Sequence, residues 1–177
     1  MHIIQREKFE FLKYGFEEIE FHPPWTPEGT RVGIDPGTVN MGVCIMAPER
    51  TALAYQVKME RDKDPMIRMG RVREVLARIF FYFDITDFQP TVIIESASFG
   101  DRYRQVELAE QRACIGLWFK DHYQATVLPF QNPKTIYKKI FGSIKARAWN
   151  EWPELPRDAA SALACALLPL DISVEKV

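Results

Sequence analysis

Short apolar runs separated by turn residues are the first regular feature of the chain. Runs at about 31–35, 41–47 and 51–58 are long enough for one strand each, and they predict three consecutive strands. Two more runs, at about 91–95 and 126–130, predict further strands.

Helices are predicted in the longer intervals between these strands and after the last of them. Asp64 and Pro65 form a helix start, with a capping side chain and a first-turn proline, and the apolar stripe then continues to about residue 83. Further helices are predicted at about 103–122, 133–140, 145–151 and 157–168. This order predicts an α/β fold with a mixed five-stranded sheet flanked by helices.

The first thirty residues differ from the rest. Residues 1–21 mix apolar and charged positions without a clean period, which suits a hairpin or a short helix, and residues 22–29 form a Pro-rich linker. The sequence therefore divides into an N-terminal extension with its linker at 1–30 and one α/β domain at 31–177.

Three acidic residues occupy comparable positions in this pattern. Asp35 ends an apolar run before a Pro-Gly turn, Glu95 ends another run, and Asp158 lies in the first turn of the last predicted helix. Each has an ordinary explanation, since Asp favours turns and helix N-termini. An acid at the end of a buried strand must nevertheless be paired, hydrogen-bonded or bound to a metal. Together the three could converge on a hard divalent cation, which prefers oxygen ligands.

Composition and charge narrow the class of protein. The 177 residues are 47% hydrophobic, which suits one folded domain. Cys44, Cys114 and Cys165 lie far apart in apolar runs, and they indicate buried, reduced thiols in a reducing compartment. Neither a membrane-spanning stretch nor a signal-peptide core is expected.

The distribution of charge is more informative than its net value of −1. The stretch between Asp121 and Glu151 contains no acid, and its cations alternate with the aromatic residues Tyr137, Phe141 and Trp149. Such a tract suits phosphate contacts and base stacking, although a solvated helix face is the alternative. Its cations, with two arginines beyond Glu95, are the expected DNA-binding residues: Lys134, Lys138, Lys139, Lys145, Arg147, Arg102 and Arg104.

Several of these segments resemble one known family. Gly33-Ile-Asp-Pro-Gly37, Ile93-Ile-Glu95, the segment from Asp158 to Ala164 and the stretch 132–145 resemble the RuvC family of Holliday-junction resolvases, in the ribonuclease H-like superfamily. The resemblance covers roughly residues 31–168 in order. It implies a ribonuclease H-like nuclease domain and a Mg²⁺-dependent endodeoxyribonuclease that resolves four-way or branched DNA junctions by paired phosphodiester hydrolysis.

The resemblance also implies roles for individual residues. Asp35, Glu95 and Asp158 would be catalytic and would hold two Mg²⁺ ions per active site, with Mn²⁺ as the expected substitute. The family usually has a fourth acid where this chain has Ser161. Ser161 lies on the same helix face as Asp158, so its hydroxyl is expected to join the metal site through a bound water. Phe99 would stack on bases at the open junction, unless it folds into the core.

The implied partners are branched DNA and a second copy of the chain, with neither a membrane nor a nucleotide cofactor. The resemblance makes the helix at about 103–122 the dimer face. Its apolar residues could equally be ordinary core: Val106, Ala109, Ala113 and Leu117.

The departures from the family pattern indicate a divergent member. Such a protein is expected to be cytoplasmic or nucleoid-associated in a bacterium or a virus-infected cell, with an organelle as the alternative. Two rival functions stay open: another ribonuclease H-like nuclease that acts on RNA, of the YqgF type, and a non-catalytic junction-binding protein. An actin-like or Hsp70-like ATPase shares the first glycine turn, but it needs two lobes, for which 177 residues leave no room.

Overall fold

A computed structural model of the chain describes residues 2–4, 29–48, 51–59, 62–82, 89–96 and 102–168. Among them, six strands form one sheet in the order β1-β4-β3-β2-β5-β6. The strands are β1 (His2–Ile4), β2 (Arg31–Asp35), β3 (Asn40–Met46), β4 (Thr51–Lys58), β5 (Thr91–Ile94) and β6 (Thr126–Val127). Pairing is antiparallel from β2 through β4 and parallel elsewhere, so the sheet is mixed.

The predicted five-stranded sheet is confirmed in strands β2 to β6. The additional strand, β1, comes from the predicted N-terminal extension and pairs in parallel with β4 at the sheet edge. Residues 5–28 of that extension lie outside the described residues.

Five helices cover the two faces of the sheet within the described ranges. They are α1 (Pro65–Tyr82), α2 (Arg102–Tyr123), α3 (Pro133–Phe141), α4 (Ala148–Glu151) and α5 (Arg157–Leu167). All five lie where the sequence pattern predicts a helix, to within a few residues at the ends. None of the described helices is long and apolar enough to cross a membrane.

Alternation along the strands divides the core into two layers. Val32 and Ile34 of β2 pack in the layer with α1 and α2, whereas Cys44 of β3 and Ile93 of β5 pack in the layer with α3, α4 and α5. This division follows from the two-residue period of a strand, whose successive side chains point to opposite faces. The three predicted buried thiols are confirmed as free and buried: Cys44, Cys114 and Cys165.

Two glycines allow α5 to rest directly on the sheet. A Cβ atom at Gly33 would lie 2.0 Å from the carbonyl oxygen of Ala162, and one at Gly42 would lie 1.9 Å from the carbonyl oxygen of Asp158. The face of α5 that meets these strands is rich in alanine, and the helix is buried from Ala159 to Ala166. Small residues on both sides therefore bring helix backbone against strand backbone.

This contact also positions two of the predicted site residues. Gly42 is the cross-strand partner of Asp35 in the β2–β3 pair, and the same Gly42 touches the backbone of Asp158. The glycine therefore lies between the two acids, and it determines how closely the first turn of α5 approaches the end of β2.

We predict that Gly42→Ala destabilises the protein, because the new methyl group would overlap a backbone carbonyl that cannot rotate away. Overpacking typically costs about 1–3 kcal/mol, and a backbone clash belongs at the upper end of this range. Urea unfolding of the variant measures the loss.

Gly70→Ala is the matched control. Gly70 lies within α1, and a Cβ atom there would meet nothing within 4 Å. Alanine is favoured over glycine in a helix by about 0.5–1 kcal/mol, so this variant should be slightly more stable than the wild type. Equal stability of Gly42→Ala and the wild type would contradict the close contact.

Candidate active site

Two of the three acids lie at the same edge of the sheet. Asp35 is the last residue of β2, and Glu95 directly follows β5, the parallel neighbour of β2. The backbone N–H of Glu95 donates to the carbonyl oxygen of Ile34 at 2.8 Å, and Glu95 also forms an isolated bridge with Gln131. The carboxylates of Asp35 and Glu95 are thus carried on backbone that is hydrogen-bonded to its neighbours.

Asp158 reaches the same place from the first turn of α5. Its backbone N–H donates to the side-chain Oε1 of Gln56, on β4, at 3.2 Å. Asp35, Glu95 and Asp158 all line one open cleft of about 690 Å³, together with Asn40. The structure therefore brings together three acids that lie far apart in the sequence.

Burial raises the pKa of all three acids, and repulsion from a neighbouring acid adds to this at Asp35 and Glu95. Burial is the main cause for Asp35, whose pKa rises to about 7, and the charge of Asp158 adds to it. The pKa of Glu95 is raised by burial and by the charge of Asp35, and that of Asp158 is raised by burial. Each carboxylate is therefore difficult to ionise in this cleft without a compensating cation.

One carboxylate oxygen of Glu95 needs a hydrogen-bond or cation partner. Its Oε2 atom is buried and has no hydrogen-bond partner among the described residues. A buried polar atom without a partner is costly, and it needs an explanation such as a bound ion or water.

A divalent cation suits the chemistry of this cleft. The donors are carboxylate oxygens, which Mg²⁺ prefers, and a cation would satisfy the orphaned oxygen and offset the repulsion. Within the described ranges, no three His, Cys, Asp or Glu side chains are already gathered as ligands of one ion.

Ser161 lies on the same face of α5 as Asp158 and is almost fully buried. Its hydroxyl lies 3.2 Å from that of Tyr137, and as a potential hydrogen-bond donor it lowers the pKa of Asp35. Burial raises the pKa of Tyr137 to about 12, so Tyr137 keeps its proton near neutral pH. In the sequence, Tyr137 is one of the aromatic residues of the basic tract, and nothing there indicates this contact, because it joins α3 to α5.

Two arginines that the sequence analysis did not select stand among the acids. Arg112, on α2, donates from Nε to the backbone carbonyl of Glu95 at 2.7 Å, and its charge lowers the pKa of Glu95 and Asp35. Arg157 lowers the pKa of all three acids, and its guanidinium lies 4.0 Å from the ring centre of Trp149. The sequence could have indicated Arg157, because it directly precedes Asp158. It could not have indicated Arg112, because the position of Arg112 beside Glu95 depends on how α2 packs.

The fold places the cationic side chains of the basic tract on different parts of the surface. Lys134 and Arg147 line the cleft, and Lys139 borders a different depression near the start of β2. Lys138 and Lys145 are exposed but do not line the cleft. Phe99 lies outside the described residues, as do the side chains of the two remaining predicted DNA-binding residues, Arg102 and Arg104.

The exposure of residues on α2 tests whether the apolar residues of this helix are ordinary core. Val106 and Leu117 are 60% and 61% exposed, and Ala109 and Ala113 between them are also exposed. The alternative that these four residues are ordinary core is therefore wrong. They form an exposed apolar stripe, because the helix is held to α1 and the sheet through its other faces.

Comparison with known proteins supports the fold. No protein-family model and no curated protein matches the sequence. The structure of RuvC from Thermus thermophilus matches with a TM-score of 0.60 at 18% identity, covering 79% of this chain and 92% of that one. The structure of T. thermophilus RuvC in complex with a Holliday junction substrate matches with a TM-score of 0.59 at 18% identity, covering 78% and 90%. The chain has the ribonuclease H-like α/β fold of these structures, as the sequence predicts.

The raised pKa of Asp35 predicts how stability depends on pH without metal. The folded protein holds this proton to about pH 7, whereas an unperturbed Asp releases it near 3.8. The folded state thus binds more protons between these values, so the free energy of unfolding falls as pH rises through this window. The total is on the order of a few kcal/mol.

We predict that Asp35→Asn reduces this fall, because the amide does not titrate. Melting temperatures in EDTA from pH 5 to pH 8 measure the fall in stability, part of which should persist in the variant because the pKa values of Glu95 and Asp158 are also raised. Asp121→Asn, a change at an exposed acid on α2, is the control and should retain the wild-type slope. An unchanged slope in Asp35→Asn would show that its carboxyl group is not desolvated.

Proposed function

We propose that this protein is a metal-dependent, structure-specific endonuclease that resolves four-way or branched DNA junctions by paired phosphodiester hydrolysis. The observation that carries the proposal is the convergence of Asp35, Glu95 and Asp158 in one cleft that also contains cationic side chains. The shared fold with RuvC supports it, since one of the matched structures is a complex with a Holliday junction substrate.

The three acids would hold two Mg²⁺ ions, with Mn²⁺ as a substitute. When bound, the metal ions would supply an activated water and stabilise charge on the leaving oxygen. Asp35 would be the central acid of the set, because its charge raises the pKa of Glu95 more than that of Asp158 does, and its own pKa is raised by Asp158. Ser161 contributes a neutral hydroxyl at the position of the expected fourth acid, so the proposed site has three carboxylates.

DNA would enter the cleft along its basic side. Lys134, Arg147 and Arg157 line the cleft, where they can contact phosphates and offset the charge of the acids. Trp149, beneath Arg157, offers an aromatic surface at the same rim. Three further predicted DNA contacts, Lys138, Lys139 and Lys145, do not line the cleft. Phe99, Arg102 and Arg104 stay predicted DNA contacts.

The protein would act as a homodimer, since paired cuts on a four-way junction require two active sites. The exposed stripe of α2, formed by Val106, Ala109, Ala113 and Leu117, supports an interface there, because small residues let two helices approach closely. A protein with this function would work where DNA is branched, in the cytoplasm or nucleoid of a bacterium or virus-infected cell, or in an organelle.

We predict that the wild-type protein cuts a labelled four-way junction in Mg²⁺ but not in EDTA, and leaves a linear duplex and an RNA hairpin intact. Asp35→Asn and Asp158→Asn should abolish cleavage, because an amide keeps the size of the side chain but not the charge that metal binding requires. Junction binding by these variants should be unchanged or tighter, since they repel phosphate less.

Asp121→Asn is the matched control and should cut at the wild-type rate. Preferential cleavage of the RNA hairpin would favour a nuclease of the YqgF type. Tight junction binding without cleavage by the wild type would favour a non-catalytic junction-binding protein. Undiminished cleavage by Asp35→Asn would contradict the assignment of the acids.

We predict that Leu117→Glu converts the dimer into a monomer. Leu117 is exposed in the single chain, so a charge there is harmless to folding but is buried unpaired when two copies associate. Light scattering after size exclusion should give about twice the 20.6 kDa of the chain for the wild type and the single value for the variant. Ile144→Glu, at an exposed residue away from α2, should remain dimeric, and a dimeric Leu117→Glu would place the interface elsewhere.

A further inference from the structure

Three residues form a row across the strands next to the candidate site. Asp35 of β2 pairs with Gly42 of β3, and the same Gly42 pairs with Gln56 of β4. Residues that lie directly opposite each other on antiparallel strands share one face of the sheet. An acid, a glycine and an amide therefore stand side by side on one face, with the acid and the amide two strand spacings apart, about 10 Å.

The first turn of α5 lies over the middle of this row. A Cβ atom at Gly42 would overlap the backbone of Asp158, so the glycine leaves the space that this turn occupies. Asp158 lines the same cleft as Asp35 and Gln56. The first turn of α5 is thus flanked by an acid on one neighbouring strand and by an amide on the other.

Helix α5 has no side-chain cap from its own N-cap residue. The first backbone N–H groups of a helix have no partner within the helix, and an N-cap side chain usually accepts from the second or third helical residue. The N-cap of α5 is Pro156, whose side chain makes no such hydrogen bond. Asp158 is the second residue of the helix, and its N–H donates to Oε1 of Gln56 at 3.2 Å. Gln56 therefore supplies from β4 the acceptor that an N-cap side chain would supply.

This hydrogen bond acts against a repulsion within the site. The carboxylates of Asp35 and Asp158 share one cleft, and like charges repel when no cation lies between them. The contact at Gly42 limits how closely α5 approaches the sheet, but a steric contact cannot hold the turn in place. The hydrogen bond to Gln56 is attractive and directional, and it fastens the backbone of Asp158 itself to the sheet.

We propose that Gln56 is a positioning residue for Asp158. Its amide oxygen fastens the first turn of α5 to β4, so that the carboxylate of Asp158 is in place beside Asp35 before a divalent cation binds. This inference rests on the proposed function. In this role Gln56 contacts neither the cation nor DNA, and it acts only through the backbone of Asp158.

The test measures Mn²⁺ binding without DNA, by electron paramagnetic resonance, in the wild type, Gln56→Met and Gln56→Glu. Gln56→Met keeps the length of the side chain and removes the amide oxygen. It should weaken Mn²⁺ binding by roughly fivefold, as expected for the loss of one N-cap hydrogen bond. Gln56→Glu keeps an acceptor oxygen at the same position, so it should bind Mn²⁺ at least as tightly as the wild type.

Gln124→Met is the matched control, since it makes the same substitution at an exposed glutamine that does not line the cleft. It should bind Mn²⁺ like the wild type. Gln56 is only half-buried, so both of its variants should fold. Melting temperatures of the metal-free proteins verify folding and measure any loss of stability separately from the loss of Mn²⁺ affinity.

The two measurements separate a positioning role from a structural one. A lower melting temperature with unchanged Mn²⁺ affinity in Gln56→Met would show a merely structural cap and would overturn the proposal. Equal weakening of Mn²⁺ binding in Gln56→Met and Gln56→Glu would also overturn it, because an acceptor oxygen would then not be sufficient. Failure of the wild type to bind Mn²⁺ would refute the metal-dependent function itself, and the positioning role with it.

Discussion

The approach of α5 to the sheet is the constraint on which the rest of the structure depends. A side chain at Gly33 or Gly42 would overlap the backbone of α5, so the helix can reach this depth only over glycine. Gly42 pairs with Asp35 across the strands and touches Asp158, so the same contact that builds the core also brings these two acids together.

Close packing creates an electrostatic conflict at the edge of the sheet. It desolvates the carboxyl groups of Asp35, Glu95 and Asp158 and raises the pKa of each. The fold offsets this conflict only in part, with the guanidinium groups of Arg112 and Arg157. The negative charge that is not compensated makes the cleft favourable for a cation. This preference is the physical basis of the proposed nuclease.

Helix α2 contacts the segments that carry Asp35 and Glu95 on one side and is exposed on the other. On its inner side, Arg112 donates to the carbonyl of Glu95, and Gln111 donates to the carbonyl of Gly37, in the turn after Asp35, at 3.3 Å. On its outer side it presents the exposed apolar stripe from Val106 to Leu117. A single helix thus touches both acid-bearing segments while its opposite side remains exposed and apolar.

The sequence alone determined the elements, because apolar period, caps and turn residues act over a few neighbouring positions. Strands β2 to β6 and all five helices were predicted in this way, and so was the placement of Asp35 and Glu95 at strand ends. Only the tertiary structure decided which side chains meet. The Ser161–Tyr137 contact, the position of Arg112 beside Glu95 and the exposure of Leu117 each depend on how separate elements pack. No local pattern records such packing, because residues that meet in space there are separated by many positions along the chain.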